Sequence, residues 1–420
     1  MTEAQIFGLL SALLLLAFGA NRLFRITRIP DLVILLITGL VLGPILKWVQ
    51  PGQFRDFTQI LGQLALILIL FEGGLELKLR EGIRHFPGGV VLSFVGYALS
   101  FCAVSAVAHY SLLIPWRSSF LLGGIFGCTS STVVMPVLQQ MTVREPVRVT
   151  LLLESALGDV IGVLTVSSLL QSSVDGLHVT GFLSDFVRDA AIAVGIGLAC
   201  GLTWWKLWPK VAPQRFSSTV AFGVVLGIYS GTHAVNASGL LAVLTFGLVL
   251  GNMPKGVSHV QKEDDFLSFS SELSFLVRSF FFVLLGVIVE FADARYVIPI
   301  LAIVGAMLIS RYLAVQVSRL ALRGITSEER ELIFLMMPRG LITAVLGVQV
   351  AQAEGSDFAF LPAMAFTGVL LTNLMLVVGS VRAGKRQALL AEIVPAEQNA
   401  LQVSEVGAEA AGGPTGAGGI

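Results

Sequence analysis

The sequence predicts an all-α polytopic membrane protein of thirteen transmembrane helices, built as two inverted six-helix repeats with helices five and twelve discontinuous. Three observations lead there. Of 420 residues, 55% are hydrophobic and only 13% charged, against about 25% charged in soluble domains. Apolar runs of about 17–25 residues, long enough to cross a bilayer core, recur along the chain. Basic residues alternate between successive loops, as cytoplasmic and external loops do.

The runs fall near 4–20, 31–48, 57–77, 87–113, 118–140, 148–171, 185–205, 216–234, 237–252, 266–290, 296–318, 329–352 and 358–381. The first follows Glu3 rather than basic residues and lacks a small-residue cleavage site, so it reads as a retained span. Basic residues follow each odd run: Arg22, Arg25 and Arg28; Lys78, Arg80 and Arg84; Arg144 and Arg148; Lys206, Lys210 and Arg215. The pattern continues with Lys255 and Lys262; Arg319, Arg323 and Arg330; Arg382, Lys385 and Arg386. Even loops carry few, the richest holding Lys47 and Arg55. The rule that basic loops stay inside puts the N-terminus outside the cell membrane and the C-terminus in the cytoplasm.

Two internal echoes predict the repeat. Gly-Leu-Val-Leu-Gly occurs at 39–43 and again at 247–251. Gly127-Cys128-Thr129-Ser130-Ser131-Thr132 ahead of Pro136 is matched by Met337-Pro338-Arg339-Gly340. Both pairs are seven spans apart, an odd number, so the copies insert in opposite senses, the plan of secondary transporters. The membrane domain is then 1–382: repeat one at about 4–171, a linking helix at 185–205, and repeat two at about 216–381. The tail 383–420, rich in Ala, Gly, Glu and Gln, cannot bury a core and reads as disordered.

Net charge is zero, which argues against a nucleic-acid partner. Cys102, Cys128 and Cys200 lie in apolar segments, and the five histidines show no ligand spacing, so neither a disulfide framework nor a resident cofactor is expected. His85 and His259 near the cytoplasmic side are pH-sensing positions or plain surface histidines.

The sixth run carries two carboxylates, Glu154 and Asp159. A charge at membrane depth costs at least ~2.5–3.5 kcal/mol, which marks it as functional. At about 100° per residue, Ser155, Asp159 and Gly162 share one helix face, while Glu154 lies about 140° away with Gly158 and Ile161. Asp159, on a small polar face, suits an ion site: one carboxylate holds a proton or a cation in turn, and that competition is an exchange mechanism. The competing reading is a carboxylate locked in a structural ion pair.

Pro136 lacks an amide donor and clashes with the carbonyl of Thr132, which predicts freed backbone oxygens over 129–132. Such oxygens persist at membrane depth only when buried in protein or lining a wet cavity. Thr129, Ser130 and Ser131 add hydroxyls, and Pro338 marks the matching interruption. Carbonyls, hydroxyls and one carboxylate satisfy a hard monovalent cation without excess charge; the alternative is hydroxyls back-bonded in an ordinary helix. Glu154 suits a structural role, with Arg278, Arg311 and Arg339 as available partners. Glu72, near the cytoplasmic end of span three, reads equally as an access-path carboxylate or an interfacial charge. Glu272 and Arg278 have no assigned role beyond that of partners.

These residues resemble the monovalent cation/proton antiporters of the NhaP and sodium/proton-exchanger type over about residues 5–380. The likeness rests on Phe-Glu-Gly-Gly-Leu at 71–75, Thr129-Ser130, Glu154-Ser155-x-x-Gly158-Asp159, Phe280–Gly286, Arg311 and Pro338-Arg339-Gly340-Leu341. The resemblance implies a six-helix core moving against a dimerisation domain, a homodimer, and exchange of Na+ or K+ for H+. It implies that Asp159 carries the ion with Thr129, Ser155 and Glu154 around it, Asp159, Thr129 and Ser155 being the oxygen ligands, and that Arg311 pairs with Glu154. Gly158 departs from the family, whose electroneutral branch usually has Asn there and whose electrogenic branch has Asp. One titrating carboxylate implies one cation per proton.

Other classes fit less well. A membrane enzyme needs metal ligands or a nucleophile–base pair, and a channel needs a repeated pore loop or charged rings; neither pattern is present. A Na+-coupled symporter of an organic anion shares the architecture, and Arg339 could face its carboxylate. Ion selectivity, among Na+, K+ and Li+, rests on cavity shape rather than on sequence.

Overall fold

The computed structural model describes residues 3–27, 29–48, 55–77, 86–141, 143–171, 179–211, 216–253, 260–289, 296–322 and 324–379. The tail 383–420 and several basic loop positions, among them Arg28, Lys78, Arg80, Arg84, Arg215, Lys255, Arg323 and Arg382, lie outside the described residues, as do His85 and His259.

All regular structure among the described residues is helical, and helices overlie the apolar runs. They are α1 (Glu3–Thr27), α2 (Asp31–Leu40), α3 (Arg55–Glu76), α4 (Phe86–Leu112), α5 (Trp116–Gly127), α6 (Ser131–Gln139) and α7 (Glu145–Gln171). There follow α8 (Val179–Val211), α9 (Ser217–Ala234), α10 (Gly239–Asn252), α11 (Val260–Ile288), α12 (Val297–Val317), α13 (Ser327–Leu335) and α14 (Leu341–Glu354). The last is α15 (Leu361–Gly379). Local chemistry sets several ends. A π-helical stretch at Val41–Ile45 carries α2 past Pro44, whose missing N–H breaks the regular ladder. Ser238 accepts from Leu241 N–H to start α10, and Thr326 with Glu329 forms a capping box at α13.

Among the described residues, seven segments are long and apolar enough to cross a membrane, including Trp116–Gln139, Glu145–Leu170, Val297–Leu320 and Leu361–Gly379, and shorter apolar helices accompany them. This is an α-helical, multi-pass membrane protein. Its helices pack as two bundles. In one, α3 lies on α10 and α11, α2 on α11, and α8 and α9 on α10. In the other, α4 lies on α5, α7 and α12, and α5, α6, α13 and α14 gather round α7. Fewer contacts join them, chiefly α3 with α14 and α7 with α8.

Both copies of the echoed pentapeptide sit at close helix crossings in the first bundle. A Cβ on Gly39 would lie 2.1 Å from the Val283 carbonyl oxygen, and one on Gly247 would lie 2.4 Å from that of Phe71. Each meets a glycine of its partner helix, Gly286 and Gly74 respectively. Apposed glycines let backbones approach where lipid supplies no hydrophobic drive between helices. Span two thus packs on span ten as span nine packs on span three.

Candidate ion site at the crossing of two broken helices

Two helices are interrupted at membrane depth and their gaps cross. Between α5 and α6 the backbone is extended at Cys128 (φ −91°, ψ 148°) and Ser130 (φ −91°, ψ 118°). Between α13 and α14, residues 336–340 are non-helical. Ser130 N–H donates to the Pro338 carbonyl at 2.9 Å, tying one gap to the other. The break expected over 129–132 therefore comes earlier, and α6 runs unbroken through Pro136. The crossing segment supplies the hydrogen bond that makes an extended Ser130 affordable, so it, rather than the proline, places the gap.

Gly340 allows this approach. A Cβ there would lie 2.1 Å from Ser130 Oγ and 2.7 Å from Ser130 Cβ. Gly340→Ala is expected to destabilise the protein by about 1–3 kcal/mol, the usual cost of overpacking, read as a lowered thermal midpoint of the detergent-solubilised protein. An unchanged midpoint would count against the crossing geometry.

Helix ends exposed by the gaps are matched by charge. Arg339, 2% exposed, donates through Nη1 to the Cys128 carbonyl just past the end of α5, and Thr343 Oγ1 donates to Ile125 O at 3.1 Å. Arg311 donates to Ile333 O (2.7 Å from Nη2) and Met336 O (2.9 Å) at the end of α13. Cations at helix C-termini face the negative pole of the helix dipole, and here they also satisfy orphan carbonyls. Arg339 is held further by backbone bonds, its N–H to Thr372 Oγ1 (3.0 Å) and its carbonyl from Asn373 Nδ2 (2.7 Å).

Asp159 takes the opposite place. It is fully buried, and its Oδ2 accepts from Ser131 N–H (3.1 Å) and Ser131 Oγ (2.5 Å), at the first residue of α6. An anion at a helix N-terminus meets unpaired N–H groups and the positive dipole end. Its other oxygen, Oδ1, has no hydrogen-bond partner among the described residues. Gly158 and Gly162 bring α7 against the gap, where Cβ atoms would meet Cys128 at 3.7 Å and 3.2 Å.

The expected site residues divide into two groups. Glu154 forms a buried ion pair with Arg311 (Oε2 to Nη2, 2.9 Å) and accepts from Thr129 Oγ1 at 3.2 Å. Thr129 is thus engaged with Glu154. Ser130 Oγ pairs with Thr132 Oγ1 at 2.7 Å. Ser155 donates to Leu152 O at 3.2 Å, which leaves its lone pairs free as acceptors. The residue that holds Asp159, Ser131, was grouped only with its neighbouring hydroxyls in the sequence; the signal for its role is its place as first residue of a helix after Ser130. Of the three arginines available to Glu154, the structure joins Arg311 to it, Arg339 to a carbonyl, and Arg278 to Asp31 at 3.0 Å.

A cavity of about 830 Å³ leads from one face of the protein to this site. Glu72, Asp31, Arg278, Glu272 and Gln140 line it together with Ser131, Thr132 and Pro136. Glu72 accepts there from Ser271 Oγ. Ser131, whose hydroxyl holds Asp159, lines this cavity.

Crossed broken helices in a membrane bundle, with a buried carboxylate at the crossing, are the architecture of secondary transporters. The chain belongs to the sodium/hydrogen exchanger family: the sequence model of the transmembrane sodium/hydrogen exchanger matches residues 9–381. Among its relatives is the K(+)/H(+) antiporter NhaP2 of Shewanella sp. (strain ANA-3), 28% identical over 360 residues, 83% of this chain and 61% of that protein. The chain thus spans about 61% of the length of that relative. The Na(+)/H(+) antiporter 1 of Methanocaldococcus jannaschii is 26% identical over 365 residues, 82% of each chain. The solved structure of the sodium proton antiporter MjNhaP1 from Methanocaldococcus jannaschii at pH 8 shares the fold, with a TM-score of 0.75 and 23% identity over 93% of this chain and 99% of that one.

Proposed function

We propose that this protein exchanges a monovalent cation for H+ across the cell membrane by alternating access, one cation per proton, with Na+ the first candidate and K+ or Li+ the others. The carrying observation is Asp159: one oxygen fastened to Ser131 at the start of α6, the other unpaired among the described residues, in a fully buried position behind Ser131, which lines the large cavity. A carboxylate so held binds a proton or a dehydrated cation at the same oxygen, and each excludes the other. Ser155, one helical turn before Asp159 on α7, can add its hydroxyl oxygen to a cation's shell. Names of relatives include both K(+)/H(+) and Na(+)/H(+) antiporters, so they support the class and leave the ion to measurement. Symport of an organic anion fits less well, because Arg339 is committed to the Cys128 carbonyl.

Thirteen spans in two inverted repeats are the architecture this reading uses, supported by the matched gaps and the matched glycine crossings. The bundle around α7 then moves against the one around α3, and the N-terminus lies outside. A homodimer is part of the same reading, supported by the apolar faces of α1 and α8, where Phe7, Leu15, Phe18 and Leu202 are exposed.

The test is proton movement in inside-out vesicles from an antiporter-deficient host, followed with a pH-sensitive dye during Na+, K+ and Li+ pulses. The expected result is proton movement that follows at least one cation and is indifferent to membrane potential. No movement with any cation between about pH 6 and 9, in vesicles shown to hold folded protein, would overturn the proposal.

A further inference from the structure

A second, smaller cavity of about 160 Å³ opens on the face opposite the large one. It is walled by Val163 and Ser167 of α7, Asp189 of α8, Tyr229 of α9, and Gln63 and Gln349. Val163 is one helical turn beyond Asp159, about 6 Å along the axis at ~1.5 Å per residue. The large cavity thus reaches Ser131, whose N–H and hydroxyl hold Asp159, and the small one stops a turn beyond Asp159 on α7.

In its wall, Gln349 Nε2 donates to Gln63 Oε1. Gln63 is on α3 and Gln349 on α14, so this bond joins one bundle to the other, side chain to side chain. The junction beneath it is tight: a Cβ on neighbouring Gly62 would lie 2.7 Å from Phe281 Cε2 and 2.9 Å from Val345 Cγ2. Val345 is one turn before Gln349 on α14.

We infer that the Gln63–Gln349 amide pair is the latch of the outer access path, closed here and parted when Asp159 is offered to the second cavity. This rests on the antiport reading and adds to it the residues that gate the outer side. The chemistry suits the task. Neutral amides neither trap a passing cation nor repel it, and each carries donors and an acceptor that water can satisfy once the pair separates. A hydrogen bond between membrane helices is weak, so a change of ligand on Asp159 can tip the balance between two packings of the bundles. Tight packing at Gly62 keeps the closed state dry while the bond holds.

The test uses the full chain in vesicles, with Cys102→Ser and Cys200→Ser removing the accessible thiols and buried Cys128 left in place. Gln63→Cys and Gln349→Cys are introduced together and joined by a short bifunctional methanethiosulfonate that dithiothreitol reverses. The expected result is loss of exchange on joining and recovery on reduction, with the same reagent leaving the rate of each single-cysteine variant where it was before treatment. Joined protein that still exchanges, or thiols that never join, would overturn the latch. A second readout needs no transport: Val163→Cys should react faster with an impermeant maleimide from the outer side when Gln349→Ala is present. Equal labelling rates would also overturn it. Exchange that survives joining in the double-cysteine variant sinks the latch alone, whereas a wild type that moves no cation sinks the antiport reading while the labelling result still stands.

Discussion

Asp159→Asn is expected to abolish cation-driven proton movement while leaving the protein folded and at its normal level. The argument is one of near-equal shape and unequal charge. An asparagine oxygen in place of Oδ2 still accepts from Ser131 N–H and Oγ, so the start of α6 keeps its partner. The amide, however, neither binds a transferable proton nor supplies the negative charge that offsets a cation in a dry site. Proton flux in vesicles and size-exclusion profiles of the solubilised protein measure the two halves separately. Full exchange by a well-folded variant would remove Asp159 from the proposed site.

The Glu154–Arg311 pair carries the second large effect, and it is expected to be asymmetric. Both residues are 4% exposed, and breaking such a pair from one side costs about 3–5 kcal/mol. Glu154→Gln leaves Arg311 with the Ile333 and Met336 carbonyls as acceptors. Arg311→Leu strands a buried carboxylate with Thr129 as its remaining side-chain donor, and also uncaps α13. Thermal midpoints should therefore fall further for Arg311→Leu than for Glu154→Gln. The double variant should recover the charge contribution but not the cap, so a double-mutant cycle shows partial coupling. A deeper loss in Glu154→Gln would contradict the capping role.

These two residues differ in how they could be read. Asp159 and Glu154 stand out in any sequence as charges inside an apolar run, because the bilayer penalty makes each such charge conspicuous. The Arg311 partner came only with the family resemblance; composition and spacing left Arg278 and Arg339 equally available. Arg278 in fact faces Asp31, at the start of α2 and 247 positions away in the chain. No local pattern announces such a pair, since both residues sit at helix faces whose neighbours are chosen by packing.

The crossing shows the same limit more sharply. Pro136 pointed to an interruption and came within a few residues of it, yet Ser130 is extended because Pro338 accepts its N–H, and Gly340 is bare because Ser130 lies against it. Ser131 became the donor to Asp159 only once the gap had made it the first residue of α6. By itself the sequence determined the membrane class, the family, the runs that become helices and the two acids within one of them, because hydrophobic length and the cost of buried charge act locally. Tertiary structure alone decided where the helices break, which arginine caps which end, and which hydroxyl holds Asp159. Those depend on backbone groups brought together from distant parts of the chain, where every unpaired N–H and C=O must find its partner away from water.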